Sequence, residues 1–395
     1  MVITLSKIYF HIDVNNAFLS WEAVKRLKEG ETTDLRTIPS AIAGDPKKRT
    51  GVILAKSPIA KKMGVKTGEP LFSAIKKCPK LVCVPPNHGY YEEQSSKLKK
   101  FLEKYSDEIE QYSVDECFIA HIPLLGTPLE VANKIKNDIY NTFGYTVNIG
   151  VSDAKYLAKI ASDFEKPNKV HTLYRYEIKE KLWPLDIESM FLLGGKTASK
   201  LRTIGIDTIG KLAKTDIHIL KIHLKSHGEE LYNFAWGKDI DERHEKKEIP
   251  KSVGHSKTSI HDLTNLEEIY TFLLDITCDT CTRLRKENMK AKTITVNVKT
   301  NNFKVYSSSY TLNFATDITT DLFNAAKNIF NKMYKNEPLR LIGISLSNLE
   351  EAEISQFNIF DTSNQKEQKL DKTVDDILNK FHDSHIVTRG SLIKK

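Results

Sequence analysis

Three acidic residues interrupt stretches that otherwise have the pattern of apolar β-strands, and this feature restricts the fold more than any other. Asp13 ends an alternating run that starts at Ile8, while Asp115 and Glu116 are adjacent in a predicted hairpin between apolar runs. Burying unpaired carboxylates is costly, and a divalent cation is the commonest way to neutralise several at once. One interpretation is therefore a sheet in which these acids lie close together and bind a divalent metal ion.

A second interpretation of the same acids needs no metal. Asp13 can cap the helix that follows it, and Asp115 and Glu116 can occupy an exposed turn. Each acid taken alone favours this interpretation. The residues that surround the acids must therefore decide between the two.

The N-terminal half of the chain alternates strand and helix patterns. A strand over residues 8–13 runs into helical spacing over residues 15–24. Further strands are predicted around residues 109–122 and 146–151, with a helix over residues 128–143 between them. This interleaving predicts an α/β or α+β fold.

The remaining segments differ from one another in pattern. Residues 38–79 are typical of an inserted subdomain, residues 177–237 of a small all-α module, and residues 239–250 of a charged linker. A β-α-β-β-α-β domain is predicted next, with elements at 252–260, 266–286, 293–299, 305–311, 322–334 and 339–346. From residue 350 we expect an extended tail with one late helix near residues 373–381.

Composition narrows the class of protein. A chain of 395 residues suggests two to four domains. No stretch reaches the roughly 20 apolar residues that span a bilayer, and the five cysteines are thinly spread, so we expect a cytoplasmic protein without disulfides. The net charge of +8 is compatible with a polyanionic partner, because Lys and Arg gain affinity by releasing phosphate counterions.

Three separated motifs resemble those of Y-family DNA polymerases, with the bacterial DNA polymerase IV and UmuC branch the most similar. The resemblance covers nearly the whole chain in order, and the three separated motifs make it specific. They are His11-Ile12-Asp13-Val14-Asn15-Asn16-Ala17-Phe18, then Tyr112-Ser113-Val114-Asp115-Glu116-Cys117-Phe118, then Asn148-Ile149-Gly150-Val151-Ser152 with Lys155, Leu157-Ala158-Lys159 and Lys166-Pro167-Asn168.

The resemblance implies an α+β, multi-domain, right-hand architecture. Its expected parts are a catalytic palm, a small fingers subdomain, a helical thumb of helix-hairpin-helix type, and a β-α-β-β-α-β little finger that binds DNA. The boundaries we predict are 1–17 and 83–176 for the palm, 18–82 for the fingers, 177–240 for the thumb, 241–250 for a linker, 251–349 for the little finger and 350–395 for the tail.

The family match assigns Asp13, Asp115 and Glu116 as catalytic metal ligands, with the Val14 carbonyl as a further ligand. Two Mg²⁺ ions, or Mn²⁺ in their place, would activate a primer hydroxyl and stabilise the leaving pyrophosphate. The implied activity is low-fidelity, template-directed addition of deoxynucleotides to a primer 3′ end in translesion synthesis and DNA repair. The alternative is a clamp-associated DNA-binding protein with a weak or silent polymerase centre.

The resemblance also implies residues that contact the incoming nucleotide: Asn16, Ala17, Phe18, Lys61 and Lys155. Phe18 falls at the steric gate, where an aromatic ring leaves no room for a 2′-hydroxyl. The fingers of the family carry a Tyr and, three residues on, an Arg, but this chain has Pro58 and Lys61, so the bidentate geometry of Arg is lost. Lys159 is assigned to a solvated helix face.

DNA contacts are expected in two places. In the thumb, Gly194, Gly195 and Lys196 match a hairpin that presents backbone N–H groups to a phosphate, although Leu192 stands where a glycine is expected. In the little finger, a run of basic residues suits phosphate contacts without base readout, and a solvated helix would look similar. From that run we predict Arg283, Arg285 and Lys299.

A partner is predicted from the segment Gln356-Phe357-Asn358-Ile359-Phe360, which resembles the pentapeptide that docks bacterial polymerases on the sliding clamp. Gln356, Ile359 and Phe360 are the expected anchors. The alternative is an apolar patch that packs back on the little finger. The other expected partners are primer-template DNA and deoxynucleoside triphosphates, and we expect a monomer that binds no membrane.

Overall fold

The structure is a computed structural model that describes residues 7–45, 51–120, 126–238, 250–352 and 362–381. It divides into two compact units, one within residues 7–238 and the other within residues 250–381. Both units mix helices and sheets, which confirms the predicted α+β class. Among the described helices, none is long and apolar enough to cross a membrane.

A five-stranded sheet forms the centre of the first unit, in the order β5-β6-β1-β7-β8. Its central strand, β1, is antiparallel to both β6 and β7, whereas β7 and β8 are parallel. The strands and the helices that flank them are β1 (Tyr9–Val14), α1 (Ala17–Lys28), α4 (His88–Leu102), β5 (Ile109–Gln111), β6 (Glu116–Ala120), α5 (Pro128–Phe143), β7 (Val147–Ser152), α6 (Lys155–Ser162) and β8 (Val170–Thr172).

Local signals set the ends of α5. Thr127 and Glu130 form a reciprocal capping box, and Pro128 occupies the first turn, where its missing N–H costs no hydrogen bond. Gly144 ends the helix at a φ of 83°, a left-handed conformation that glycine adopts without strain. The predicted helix over residues 128–143 is confirmed.

A small three-stranded sheet lies between α1 and α4 in the chain, in the order β3-β2-β4. Its own core includes Ile53, Val65 and Leu71, which are nearly fully buried. Its elements are β2 (Ser40–Ala43), β3 (Ile53–Lys56), α2 (Pro58–Lys62), α3 (Leu71–Lys77) and β4 (Val82–Val84). This region corresponds to the predicted inserted subdomain.

Short helices follow β8 and share one apolar core that also includes residues of α6. They are α7 (Gly195–Thr203), α8 (Ile209–Lys214), α9 (Ile217–Leu224) and α10 (Ser226–Ala235). The predicted all-α character of this segment is confirmed within residues 177–237. The functional boundaries of palm, fingers and thumb stay predictions.

The second unit contains the predicted β-α-β-β-α-β order, which is confirmed. Its sheet has the order β11-β10-β12-β9, and helices cover one face. The elements are β9 (Ser252–Leu263), α11 (Leu266–Lys286), β10 (Met289–Thr300), β11 (Val305–Thr316), α12 (Thr319–Met333), β12 (Leu339–Glu351) and α13 (Thr362–Phe381). The last helix begins at Thr362, so the prediction of a late helix starting near residue 373 placed its start too far along the chain.

Candidate active site

The register of β1 against β6 places two of the predicted acids opposite each other. Asp13 pairs with Glu116 across the antiparallel ladder. The next residue, Val14, donates its N–H to the carbonyl of Asp115 at 3.1 Å. One end of the sheet therefore gathers the backbone of all four predicted metal-site residues, while the side chain of Asp115 accepts a hydrogen bond from the Ser113 hydroxyl at 2.7 Å.

Two lysines provide counter-charges for these acids. The Lys166 ammonium pairs with the Asp13 carboxylate, and the Lys159 ammonium lies 2.6 Å from Glu116 Oε1. The side chains of Lys159 and Glu116 are 17% and 18% exposed, so this pair is more strongly coupled than a surface pair. The prediction that Lys159 belongs to a solvated helix face is therefore wrong.

Burial raises the pKa of Asp13 to about 6, and the negative charges of Glu116 and Asp115 add to this rise. The neighbouring Lys166 acts in the opposite direction but does not cancel the effect of burial. A buried carboxylate with a raised pKa is stabilised in its charged form by an additional cation nearby. Asp13 is therefore well placed to act as a ligand of a metal cation.

The residues present fit a divalent cation in donor chemistry, since carboxylate and carbonyl oxygens are the ligands that Mg²⁺ prefers. Within the described ranges, however, no group of three or more His, Cys, Asp or Glu side chains is arranged to hold a metal ion. Asp13 and Glu116 face each other in register, whereas Asp115 is held by Ser113. The fit therefore rests on the donor set and on the charge imbalance at Asp13.

Close packing of α6 on β7 brings Lys159 to this site. A Cβ on Gly150 would lie 1.8 Å from the Ala158 carbonyl oxygen, so only glycine permits this approach. His11 is buried beside the same helix, with Nδ1 2.8 Å from the Ser162 hydroxyl. Its pKa lies well below the usual value, chiefly through burial and then through Lys159 and Lys166, so His11 is neutral.

An asparagine network fixes the loop that carries Lys166. Asn15 donates from its amide to Asn148 Oδ1 at 3.1 Å and accepts from the Asn168 N–H at 2.8 Å. Asn148 in turn donates to the Glu165 carbonyl at 2.6 Å. The sequence prediction gave Lys166 no role, although the Lys166-Pro167-Asn168 motif was a signal that could have identified it.

The predicted nucleotide-binding residues occupy different settings. Phe18 is half-buried and stacks on Tyr91, with ring centroids 4.5 Å apart and an interplanar angle of 11°. Asn16 has a φ of 55° and precedes α1, and Ala17 is buried in its first turn. Lys155 lies 2.7 Å from Glu110, and Lys61 is exposed on α2.

The hairpin predicted for the thumb has an unusual backbone at Leu192, where the resemblance leads us to expect glycine. Leu192 adopts a φ of 59°, in the left-handed region, and its side chain is 58% exposed. Gly194 and Gly195 follow, and a Cβ on either would meet open space. Lys196 is an exposed residue in the first turn of α7.

Replacing Leu192 with glycine is expected to stabilise this hairpin by about 1 kcal/mol, because glycine removes the left-handed penalty of a side chain. Little burial is lost, since Leu192 is mostly exposed. Native-state hydrogen exchange over residues 190–205 measures the effect. Leu192→Ala keeps the Cβ and serves as the control, with no gain expected. Equal or faster exchange in the glycine variant would contradict this reading of the backbone.

Arg285, predicted to bind DNA, is committed to the fold. Its guanidinium makes a bidentate pair with Asp375, at 2.5 and 3.0 Å, and donates to the Asp317 carbonyl at 2.8 Å. Its side chain is only 15% exposed. We therefore correct this prediction, because a guanidinium that is already paired and buried is poorly placed to meet a phosphate.

Arg283 and Lys299 lie on opposite faces of the second unit. Arg283 is exposed on α11, in the helical layer. Lys299 alternates with the buried Val296 and Val298 along β10, so it points to the open face of the sheet. The structure does not bring these two predicted DNA contacts together. The predicted clamp anchors Gln356, Ile359 and Phe360 lie outside the described residues.

Family models match most of the chain in three consecutive blocks. The impB/mucB/samB family model matches residues 12–163, the IMS family HHH motif matches residues 177–206, and the C-terminal domain of the impB/mucB/samB family matches residues 250–359. The chain is also 41% identical to "DNA polymerase IV" of Clostridium acetobutylicum over 99% of each chain. The chain belongs to the impB/mucB/samB family. It is a Y-family DNA polymerase of the bacterial DNA polymerase IV branch, and hence a DNA-directed DNA polymerase.

Other relatives and solved structures agree with this assignment. "DNA polymerase IV" of Alkaliphilus oremlandii is 36% identical over 99% of this chain and 100% of its own. A Y-family DNA polymerase chimera of Dbh and Dpo4 has a similar fold, with a TM-score of 0.74 and 23% identity over 87% of this chain and 99% of that chain. The predicted right-hand polymerase fold is confirmed.

Proposed function

We propose that this Y-family polymerase extends a primer 3′ end by two-metal-ion phosphoryl transfer, with Asp13, Asp115 and Glu116 as the metal-binding acids and the Val14 carbonyl as a further ligand. The observation that carries the proposal is the pairing of Asp13 with Glu116 across β1 and β6, together with the raised pKa of Asp13. Its substrates are deoxynucleoside triphosphates and primer-template DNA. The enzyme tolerates damaged templates, as the low-fidelity class does.

In this proposal the acids bind the metal ions, and the lysines pair with the acids or with the triphosphate. Bound Mg²⁺ ions, or Mn²⁺ in their place, would promote loss of the primer hydroxyl proton and neutralise charge on the leaving pyrophosphate. Lys159 pairs with the Glu116 carboxylate and fixes its orientation. Lys166 pairs with Asp13 from a loop, and its side chain is 38% exposed, so its ammonium could also contact a triphosphate oxygen.

The walls of the site fix the position and choice of the nucleotide. The Phe18 ring is held by stacking on Tyr91, and we propose that it fills the space that a ribose 2′-hydroxyl would need. Lys61 and Lys155 supply further positive charge for the triphosphate, although Lys155 must exchange its Glu110 partner to do so. The hairpin of Gly194, Gly195 and Lys196 and the open sheet face with Lys299 contact the DNA backbone.

Single-turnover primer extension on undamaged and abasic templates tests this function. We expect Mg²⁺-dependent addition of one nucleotide on both templates. A chain that binds primer-template but adds no nucleotide with either Mg²⁺ or Mn²⁺ would instead favour the alternative of a clamp-associated protein with a silent centre. The retention of all three acids argues against that alternative.

We further propose that residues 356–360 tether the enzyme to the sliding clamp. The segment offers a polar anchor, Gln356, and two apolar anchors, Ile359 and Phe360, between polar flanks. A distributive polymerase gains most from such a tether, because holding it near the primer raises its effective concentration.

Changing Gln356, Ile359 and Phe360 together to alanine is expected to remove clamp stimulation on circular primed DNA while leaving single-nucleotide addition unchanged. The physical reason is that the tether raises local concentration without touching the active site. Asn358→Ala, at a spacer position, is the matched control and should retain stimulation. Equal stimulation of the triple variant and the parent would exclude this segment as the tether.

A further inference from the structure

The C-terminal helix α13 docks within the second unit through acids spaced four residues apart, which places them on one face of the helix. Glu367 accepts from the Thr320 hydroxyl at 2.7 Å, and Asp375 accepts from the Thr282 hydroxyl at 2.9 Å. The middle acid, Asp371, is only 2% exposed. The helix is therefore held in a defined orientation by charged and polar contacts.

The buried Asp371 also completes another helix. Helix α12 begins after Ile318, which has no side chain able to cap it. Asp371 accepts from the Thr319 N–H at 3.0 Å and from the Thr319 hydroxyl at 2.8 Å, so it supplies the missing cap from a distant part of the chain. Arg285 pairs with both Asp371 and Asp375 and offsets part of their negative charge. Docking of α13 is thus coupled to the start of α12.

The opposite side of α13 is basic. Lys366, Lys369 and Lys372 recur every third residue and are all exposed, with the exposed acid Asp376 beside them. Because Glu367, Asp371 and Asp375 lie on the docked face, the exposed face formed by Lys366, Lys369, Lys372 and Asp376 carries three positive charges and one negative charge. Lysines make point-charge contacts to phosphates without reading bases.

We propose that docked α13 is an accessory DNA-binding surface, in which Lys366, Lys369 and Lys372 contact the phosphate backbone of duplex DNA. The argument for this partner is charge complementarity, since a polyanion gains affinity by releasing counterions to a lysine face. The chain is a DNA polymerase with a net charge of +8, so duplex DNA is a polyanion that it meets during its activity. The contact is independent of the metal-site assignment.

The experiment measures binding of the full chain to a short blunt DNA duplex by fluorescence anisotropy over a series of salt concentrations. In the triple variant, Lys366, Lys369 and Lys372 are each replaced by glutamine. We expect the plot of log affinity against log salt to become less steep, with the magnitude of its negative slope reduced by about 2 to 3, at roughly 0.9 per lost phosphate contact. The matched control replaces the exposed Lys99, Lys100 and Lys134 of α4 and α5 with glutamine, which gives the same change in charge. An equal slope in the two triple variants would overturn the proposal.

A double variant and its control test whether docking of α13 is needed for the three lysines to contact DNA. Asp371→Asn with Asp375→Asn removes two negative charges, which by simple electrostatics should strengthen DNA binding. We expect weaker binding instead, because a released α13 must be ordered again when it meets DNA. Hydrogen exchange of α13 reports the release, and Asp376→Asn is the exposed control. Release of α13 accompanied by tighter DNA binding would contradict the proposal.

Discussion

Replacing Glu116 or Asp115 with alanine is expected to slow nucleotide addition by at least about 1,000-fold, equivalent to about 4 kcal/mol, while leaving primer-template affinity nearly unchanged. The reason is that metal ligation stabilises charge that develops in the transition state and contributes little to holding DNA. Glu116 faces Asp13 across the sheet, and its loss also leaves Lys159 without its partner.

Single-turnover extension at saturating DNA gives the rate, and anisotropy gives the affinity. Glu108→Ala is a suitable control, because Glu108 is an exposed acid that pairs with Lys7 and has no predicted metal role. We expect the control to extend primers at the rate of the parent. Substantial extension by either active-site variant would remove the assigned metal centre.

Phe18→Ala is expected to raise ribonucleotide incorporation relative to deoxynucleotide incorporation by at least tenfold, about 1.4 kcal/mol of lost discrimination. Removing the ring opens the space where a 2′-hydroxyl would lie. The competing explanation is that Phe18 serves only the core, since it stacks on Tyr91 and packs near Trp21.

The two explanations of Phe18 predict different measurements. The ratio of kcat/KM for matched ribo- and deoxynucleotides reports the gate, while the melting temperature reports core packing. Phe18→Tyr keeps an aromatic ring and should retain sugar discrimination. A lowered melting temperature in Phe18→Ala with unchanged sugar discrimination would show that the ring is a packing residue alone.

Elements with local signals were predictable from the sequence. Helices α5 and α11 have the predicted bounds, because their ends are set by nearby capping residues such as Thr127 and Asn265. Helix α13 was predicted to start too late, because its first turns carry no apolar periodicity. Glu367, in the second turn, is bonded by Thr320, which is far away in the chain and cannot be identified from the local sequence.

The positions of the acids were predictable from the motifs, whereas the partners of the basic side chains were not. The opposition of Asp13 and Glu116 follows from two apolar strands that each place an acid at one end. The sequence could not show that Lys159 turns inward, because this depends on how closely α6 approaches Gly150. Arg285 was misjudged for the same reason, since a basic residue reveals its acidic partner only after folding.

The tight turn between β5 and β6 limits which mutations this enzyme can accept during evolution. The N–H groups of Tyr112 and Ser113 both donate to the Glu116 carbonyl, at 3.0 and 3.1 Å. A one-residue insertion or deletion that shifted the pairing register of β6 would send its side chains to the other face of the sheet, Glu116 included. Apart from Asp115 and Glu116, residues of this hairpin should therefore tolerate substitution better than the hairpin tolerates a change in length, and we expect active relatives to keep the length of this turn.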